Sequence, residues 1–379
     1  MSKHSKIPRP QIGTFHRYEL SVVGTPCNKI VQLAKALATA LPELNMVYAD
    51  ADHHADSNSL PEVMQAGGWG AFSDKIAFTR VDFTGQLTDF QKKQMLTAAD
   101  WVLVNGNHFD AAAQIAVIDP VKPLEKKLHK LTNVQLLLKT ADDMEIPHYL
   151  SACLEGRSVP VLCFNDAVAI AKWVRNYLNS CRAPLYGLVL TGGKSERMGT
   201  DKAQLNYHGK PQQQHVADLL ASYCERVFIS CRTDQLASVP KSYEALPDTF
   251  VGLGPLSGIL SAFQQHPNAA WLVLACDLPL IQPATLEQLI AARNPLKMAT
   301  AFQSPHDNLP EPLVAIWEPK AYAILLQFLS MGYHCPRKAL INNNIAIVLP
   351  QFPEQLTNVN TPEEATVALQ KLQKSMENK

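Results

Sequence analysis

The chain has 379 residues, of which 34 are Lys or Arg and 34 are Asp or Glu, so the formal net charge is zero. The balance holds within each half: residues 1–181 carry 18 charges of each sign and residues 182–379 carry 16 of each. This excludes a basic nucleic-acid surface and a long acidic tail, which both depend on a large net field, but not a small anion held by a few local donors. At 47% hydrophobic and 18% charged, the composition is globular, and the length suits about two domains. No apolar run approaches the ~20 residues of a membrane span, so no membrane partner is expected.

The opening segment MSKHSKIPRP is basic but no apolar stretch follows it, and residues 1–17 read as a disordered lead-in. A strand is predicted over 18–23. Ile30, Leu33, Ala34, Leu37 and Leu41 then follow helical spacing, and 46–49 is strand-like again. That βαβ order implies a parallel sheet. Further short strands are predicted over 101–104, 115–118 and 159–164, with a helix over 166–178. The pattern resets at NSCRAP near residue 180, which reads as a linker between domains at 18–180 and 184–376.

A second α/β series begins at Tyr186, with a strand over 188–191 running into a glycine loop. A helix over 211–225 and a strand over 227–230 follow, and Gly254 to Gly258 opens another helix. Residues 271–276 form an apolar strand that ends in Asp277, and later strands are predicted over 312–317 and 345–349. The last helix begins at TPEE, where Thr361 is the N-cap, Pro362 the first helical residue and Glu364 the partner in a capping box. The eight Cys include no C-x-x-C pair, and most sit among apolar neighbours, as small buried hydrophobes of a reducing cytoplasm do.

Three segments of the second half carry chemistry. In LTGGKSERMGTDK a strand ending at Thr191 meets Gly192 and Gly193, which let the backbone form a nest of N–H groups for phosphate oxygens. Arg197 as a planar fork and Lys202 as a point charge can reach the same anion. The segment is neither G-x-x-x-x-G-K-[ST] nor G-x-G-x-x-G. In CDLP, Asp277 at the end of an apolar strand falls in the crevice where α/β sheets bind ligands, and a buried carboxylate there calls for a cation such as Mg²⁺ carrying phosphates. Asp248 precedes the glycines of GPLSG, which allow a ligand to pack closely on a helix start.

These residues carry a resemblance. Residues 185–370 resemble the molybdenum cofactor guanylyltransferase (MobA-type) family, through LTGGKSERMGTDK, HGKPQQQHVADLL, GPLSGI, LACDLP, EPLVAIW and NVNTPEE in that order. The resemblance implies a Rossmann-like nucleotidyltransferase fold of three αβα layers. It implies transfer of GMP from GTP to the phosphate of molybdopterin, with pyrophosphate released and Mg²⁺ as cofactor. Leu190, Gly192, Gly193, Lys202, Asp248 and Asp277 would bind the nucleotide. Lys202, Arg197 and Asp277 would be catalytic, with Asp277 on the metal, and Asn358 and Asn360 would face the pterin acceptor. Molybdoenzymes would be downstream partners. Where the family has an asparagine after the second strand this chain has Arg232, and Arg337-Lys338 is a further cationic pair. Related cytidylyl transfer, a different phosphate acceptor, or a non-catalytic delivery role are the alternatives.

The first half has VVGTPCNKI where a P-loop belongs, with Asn28 and Ile30 replacing the glycine and hydroxyl that flank the lysine, and Pro26 removing an N–H. ADADHHAD, LPEVMQAGG, LVNGNHFDAAAQIAVID and PVLCFNDAVAIAKWV resemble the small GTP-binding partner (MobB-type), with Asn105 at an acidic position. This implies a second three-layer αβα domain, a degenerate P-loop fold with a scaffolding role. Asp50, Asp52, His53, His54 and Asp56 read as a polar loop more than a metal cluster.

Overall fold

Strands that are apolar on both faces organise each half of the chain, because only the middle of a helix-covered parallel sheet buries both sides of a strand. The computed structural model describes residues 15–52, 60–154, 156–191 and 202–377. The chain divides into two compact units at Leu178/Asn179.

In the first unit, β1 (Glu19–Val23), β2 (Met46–Ala49), β5 (Trp101–Asn105), β6 (Ala113–Ile118), β7 (Val134–Lys139) and β8 (Val161–Cys163) form one sheet in the order β2-β5-β1-β6-β7-β8. Every pairing in it is parallel. β1, β5 and β6 are buried along their whole length. Helix α1 (Cys27–Ala40) buries Ile30, Leu33, Ala34 and Leu37, the stripe its spacing predicts. α2 (Glu62–Gln65), the antiparallel pair β3 (Gly70–Asp74) and β4 (Thr79–Phe83), and α3 (Asp89–Met95) stand apart from that sheet. α4 (His148–Cys153) and α5 (Ala167–Ser180) complete the unit, so the link to the next strand is only 181–184. The lead-in expected over 1–17 is shorter at its end. Phe15 and His16 are buried, Phe15 against Phe109, and their backbone N–H groups donate to Glu19. Residues 1–14 lie outside the described residues.

The second unit has a seven-stranded sheet. Its strands are β9 (Leu185–Leu190), β10 (Arg226–Cys231), β11 (Glu244–Pro247), β12 (Ala270–Ala275), β13 (Ala299–Gln303), β14 (Pro310–Trp317) and β15 (Ala346–Val348). The order is β11-β10-β9-β12-β14-β13-β15, and β14 alone runs antiparallel to its neighbours. The register sets Leu190 beside Ser230 on one side and Ala275 on the other. The helices are α6 (Gln212–Ala221), α7 (Pro255–Gln265), α8 (Pro283–Ala291), α9 (Ala321–Ser330), α10 (Pro336–Ile341) and α11 (Pro362–Glu377). α6 stops at Ala221, four residues short of the predicted end. α11 starts with the expected capping box: Glu364 N donates to Thr361 Oγ1 at 3.3 Å and Thr361 N to Glu364 Oε2 at 3.2 Å. No helix of the described residues is long and apolar enough to cross a membrane.

Candidate active site

The parallel register brings the ends of four strands to one edge of the second sheet. Thr191 follows β9, Asp248 follows β11, and Asp277 lies two residues beyond β12. Because β14 is antiparallel to β12, its first residues, including Glu311, lie at the same edge. This is the crevice in which open α/β sheets hold ligands.

Asp277 stands out among these by an unsatisfied carboxylate oxygen. Its Oδ1 is buried and has no hydrogen-bond partner among the described residues. Burial pushes its carboxyl up from the usual range, against the pull of the nearby Lys202 ammonium. Lys202, in the 3-10 turn Lys202–Gln204, donates to Asn360 Oδ1 at 2.6 Å. The strand of chain carrying Asn360 is pinned to the acid as well, since Val359 N donates to the Asp277 carbonyl at 2.8 Å. The α11 cap reaches the same place: Asn360 N donates to Glu364 Oε2 at 2.6 Å. Lys202, Asp277 and Asn360, separated by up to 158 residues in sequence, therefore form one group.

Asp248 is fixed from the next strand. Ser230 Oγ donates to its Oδ1 at 2.7 Å, and its backbone N donates to the Cys231 carbonyl at 2.9 Å. Burial raises its pKa, with Ser230 and Arg232 acting in the other direction. The two glycines of GPLSG after it differ in their surroundings. A Cβ on Gly258 would meet Ser230 Oγ at 2.3 Å and Leu190 Cδ2 at 2.7 Å, so its missing side chain is needed by the protein's own strands. Gly254 caps α7 at φ 58° with open space beside it.

The remaining predicted residues divide. Leu190 is buried at the end of β9, where its carbonyl accepts from Cys276 N at 3.2 Å. Gly192, Gly193 and Arg197 lie outside the described residues. Asn358 lines a small pocket of about 250 Å³ with Leu280 and residues of α11, among them Glu363, Val367 and Lys371. Arg232, at the departure from the family pattern, makes a two-pronged pair with Asp234 at 3.0 Å on each arm.

Glu311 was missed as a site residue, and its partner Arg337 was named only as half of a cationic pair. Glu311 is buried, and Arg337 grips both it, at 2.8 Å, and Asp307, at 2.7 Å. Burial pushes Glu311 up and Arg337 pulls it down, while the Asp277 and Asp307 carboxylates add to the upward push. The only sequence signal was the acid in EPLVAIW at a strand start; its partner comes 26 residues later.

In the first unit the loop after β1 is tied to Asp119. Thr25 Oγ1 donates to Asp119 Oδ2 at 2.6 Å and Lys29 Nζ to the same oxygen at 2.8 Å. Asp50 accepts from Tyr48 OH and from Asn105 Nδ2. Of the acidic and histidine cluster, His53, His54 and Asp56 lie outside the described residues; among those described, no three His, Cys, Asp or Glu side chains are placed to hold a metal.

Comparison with known proteins accounts for the second unit. The family model of the MobA-like NTP transferase domain matches residues 187–346. A molybdenum cofactor biosynthesis bifunctional protein of Synechocystis is 41% identical over 184 residues, 48% of this chain and 53% of that protein; the chain thus spans about half of that relative's length. A probable molybdenum cofactor guanylyltransferase of Trichormus variabilis is 31% identical over 48% of this chain and 89% of its own. The crystal structure of molybdopterin-guanine dinucleotide biosynthesis protein A from Archaeoglobus fulgidus aligns at a TM-score of 0.42 and 23% identity, over 50% of this chain and 99% of that one. By its second half, this chain belongs to the MobA-like nucleotidyltransferases of molybdenum cofactor biosynthesis, a family of enzymes.

Proposed function

We propose that the second unit transfers GMP from GTP to the phosphate of molybdopterin and releases pyrophosphate. The observation that carries this reading is the gathering of Lys202, Asp277 and Asn360 at one sheet edge of a chain belonging to this family.

In such a transfer the acceptor phosphate attacks the α-phosphorus of the nucleotide, anion against anion. A phosphate monoester is already largely ionised at neutral pH, so the reaction needs no general base. The protein's task is to align two anions and to stabilise the charge that moves onto the leaving pyrophosphate. Lys202 serves that charge directly, and Asn360 fixes where its ammonium sits. Arg197 and the amides of Gly192 and Gly193 complete the cradle in this reading. Asp248, held by Ser230, lies against the nucleotide. Asn360 and Asn358 face the acceptor.

The residues fit a magnesium ion, because Asp277 offers a buried carboxylate oxygen with no hydrogen-bond partner among the described residues. Asp277 would hold the ion, which when bound supplies positive charge to the nucleotide phosphates. The eight cysteines are all free thiols, in keeping with the cytoplasmic setting we propose. Delivery of the product to molybdoenzymes would follow from the same chemistry.

Calorimetric titration with GTP and with CTP, each with Mg²⁺, tests nucleotide choice. GTP is expected to bind the more tightly; tight CTP binding without GTP binding would overturn the guanylyl assignment.

A further inference from the structure

The carboxyl edge of the first sheet carries side chains that this reaction leaves unused. Cys27 opens α1 immediately after Pro26, and its sulfur lies 3.4 Å from His108 Nε2. Asn107 Nδ2 approaches the same sulfur at 3.6 Å and also donates to the Thr25 carbonyl at 3.0 Å. Asp50 Oδ1 stands 3.7 Å from that same Nε2, and its carboxylate accepts from Tyr48 OH at 2.7 Å and from Asn105 Nδ2 at 2.9 Å. Lys127 and Lys130 bracket Asn107, one on its side-chain oxygen at 2.8 Å and the other on its carbonyl at 3.1 Å. Lys29 and Asp119 satisfy each other farther along the edge.

This is not the setting of a packing cysteine. Cys231 and Cys276 are buried, whereas Cys27 is partly exposed. Its neighbours are a base and a hydrogen-bond donor. A nucleophile within hydrogen-bond reach of a base is the arrangement that activates a thiol.

We propose that Cys27 is a nucleophilic thiol with His108 as its base, and that it is a site of oxidation by hydroperoxides. His108 takes the thiol proton, and Asp50 stabilises the resulting imidazolium. The sulfur attacks the terminal oxygen of the peroxide. The S–O bond forms as the O–O bond breaks, and two electrons pass from sulfur to the peroxide. The leaving alkoxide or hydroxide takes a proton from the imidazolium, so the products are the Cys27 sulfenic acid and an alcohol or water. The Lys127 ammonium is pushed down to about 8, by burial first and then by Lys122 and Lys130, and Cys27 acts on it in the opposite direction. A half-buried thiol beside the foot of a helix also suits a small uncharged oxidant better than a bulky one. The proposal does not depend on the guanylyl reading of the second unit.

The test uses the full chain at pH 7 with limiting hydrogen peroxide, dimedone to trap sulfenic acid, and mass spectrometry of peptides covering all eight cysteines. Cys27 is expected to be labelled first, ahead of the exposed Cys335. His108→Gln should slow labelling of Cys27 by about tenfold or more and leave Cys335 unchanged, since general-base assistance is worth at least that much. Asn107→Leu, which removes a donor to sulfur, gives an independent reading if His108→Gln does not fold. The proposal is overturned if Cys27 is labelled no faster than Cys335, or if a folded variant at either position leaves its rate unchanged.

Discussion

A buried carboxylate oxygen that accepts no hydrogen bond is costly unless a cation reaches it, and Asp277 Oδ1 is in that position. Stability and function therefore pull apart at this residue. Asp277→Asn removes the buried charge, so its unfolding midpoint in urea should equal or exceed that of the parent. Its turnover should fall on the order of 10²–10³-fold, the loss typical of one preorganised electrostatic group. A midpoint well below the parent would mean that the acid is structural. Gly258 is the second residue whose role is sharp. Ala there drives a methyl into Ser230 and Leu190, which breaks the hydrogen bond from Ser230 to Asp248. Overpacking of this kind costs about 1–3 kcal/mol, measurable by denaturant unfolding.

At the scale of elements, the cap of α11 links helix stability to the site, because Glu364 receives the backbone N–H of both Asn360 and Thr361. Thr361→Ala should lower stability by about 1 kcal/mol. Glu364→Ala should in addition raise KM for the acceptor more than it lowers kcat, since the backbone N–H of Asn360 loses its acceptor. This cap was legible in TPEE because every partner lies within four residues. β12 and Asp277 were legible for a related reason, a fully apolar run ending in an acid. β7, β11 and β13 went unpredicted. β7 carries Gln135 and Lys139 among its leucines, β11 is only four residues with two exposed, and β13 is five residues of which three are Ala or Thr. Their partners in the sheet, not their own patterns, make them strands. The hairpin of β3 and β4 leaves Trp69, Phe72 and Phe78 exposed, and its one local signal, the alternation of Arg80, Val81, Asp82 and Phe83, is only four residues long. The pairings of Ser230 with Asp248 and of Glu311 with Arg337 join residues 18 and 26 apart on different elements, which no local spacing encodes.

For the molecule as a whole, neutrality of both halves means that the anionic substrates proposed for the second unit would be captured by a few converging groups and not drawn in by a long-range field. Stability rests partly on charges that are deeply buried. Arg293 grips Glu318 at 2.7 and 3.1 Å, with both side chains almost wholly inaccessible, and reaches the Ala183 carbonyl at 2.9 Å. Arg293→Met strands a buried carboxylate and should cost about 3–5 kcal/mol by urea unfolding. Acid should weaken the second unit through His215, which stacks on His208. Burial first, then His208 and Lys210, push the His215 imidazole down to about 4 from its ordinary 6.5. Between those values the unfolded chain binds the extra proton and the folded chain does not, so stability is present above 6.5 and is lost as pH falls towards 4. His215→Gln should flatten that part of the stability profile, measured as unfolding midpoint against pH. The most direct test of the central claim is transfer of label from α-labelled GTP to molybdopterin in the presence of Mg²⁺, with the parent and Asp277→Asn side by side. Labelled product with equimolar pyrophosphate from the parent, and almost none from the variant, is the predicted result; no transfer from GTP, or equal transfer by both proteins, would contradict it.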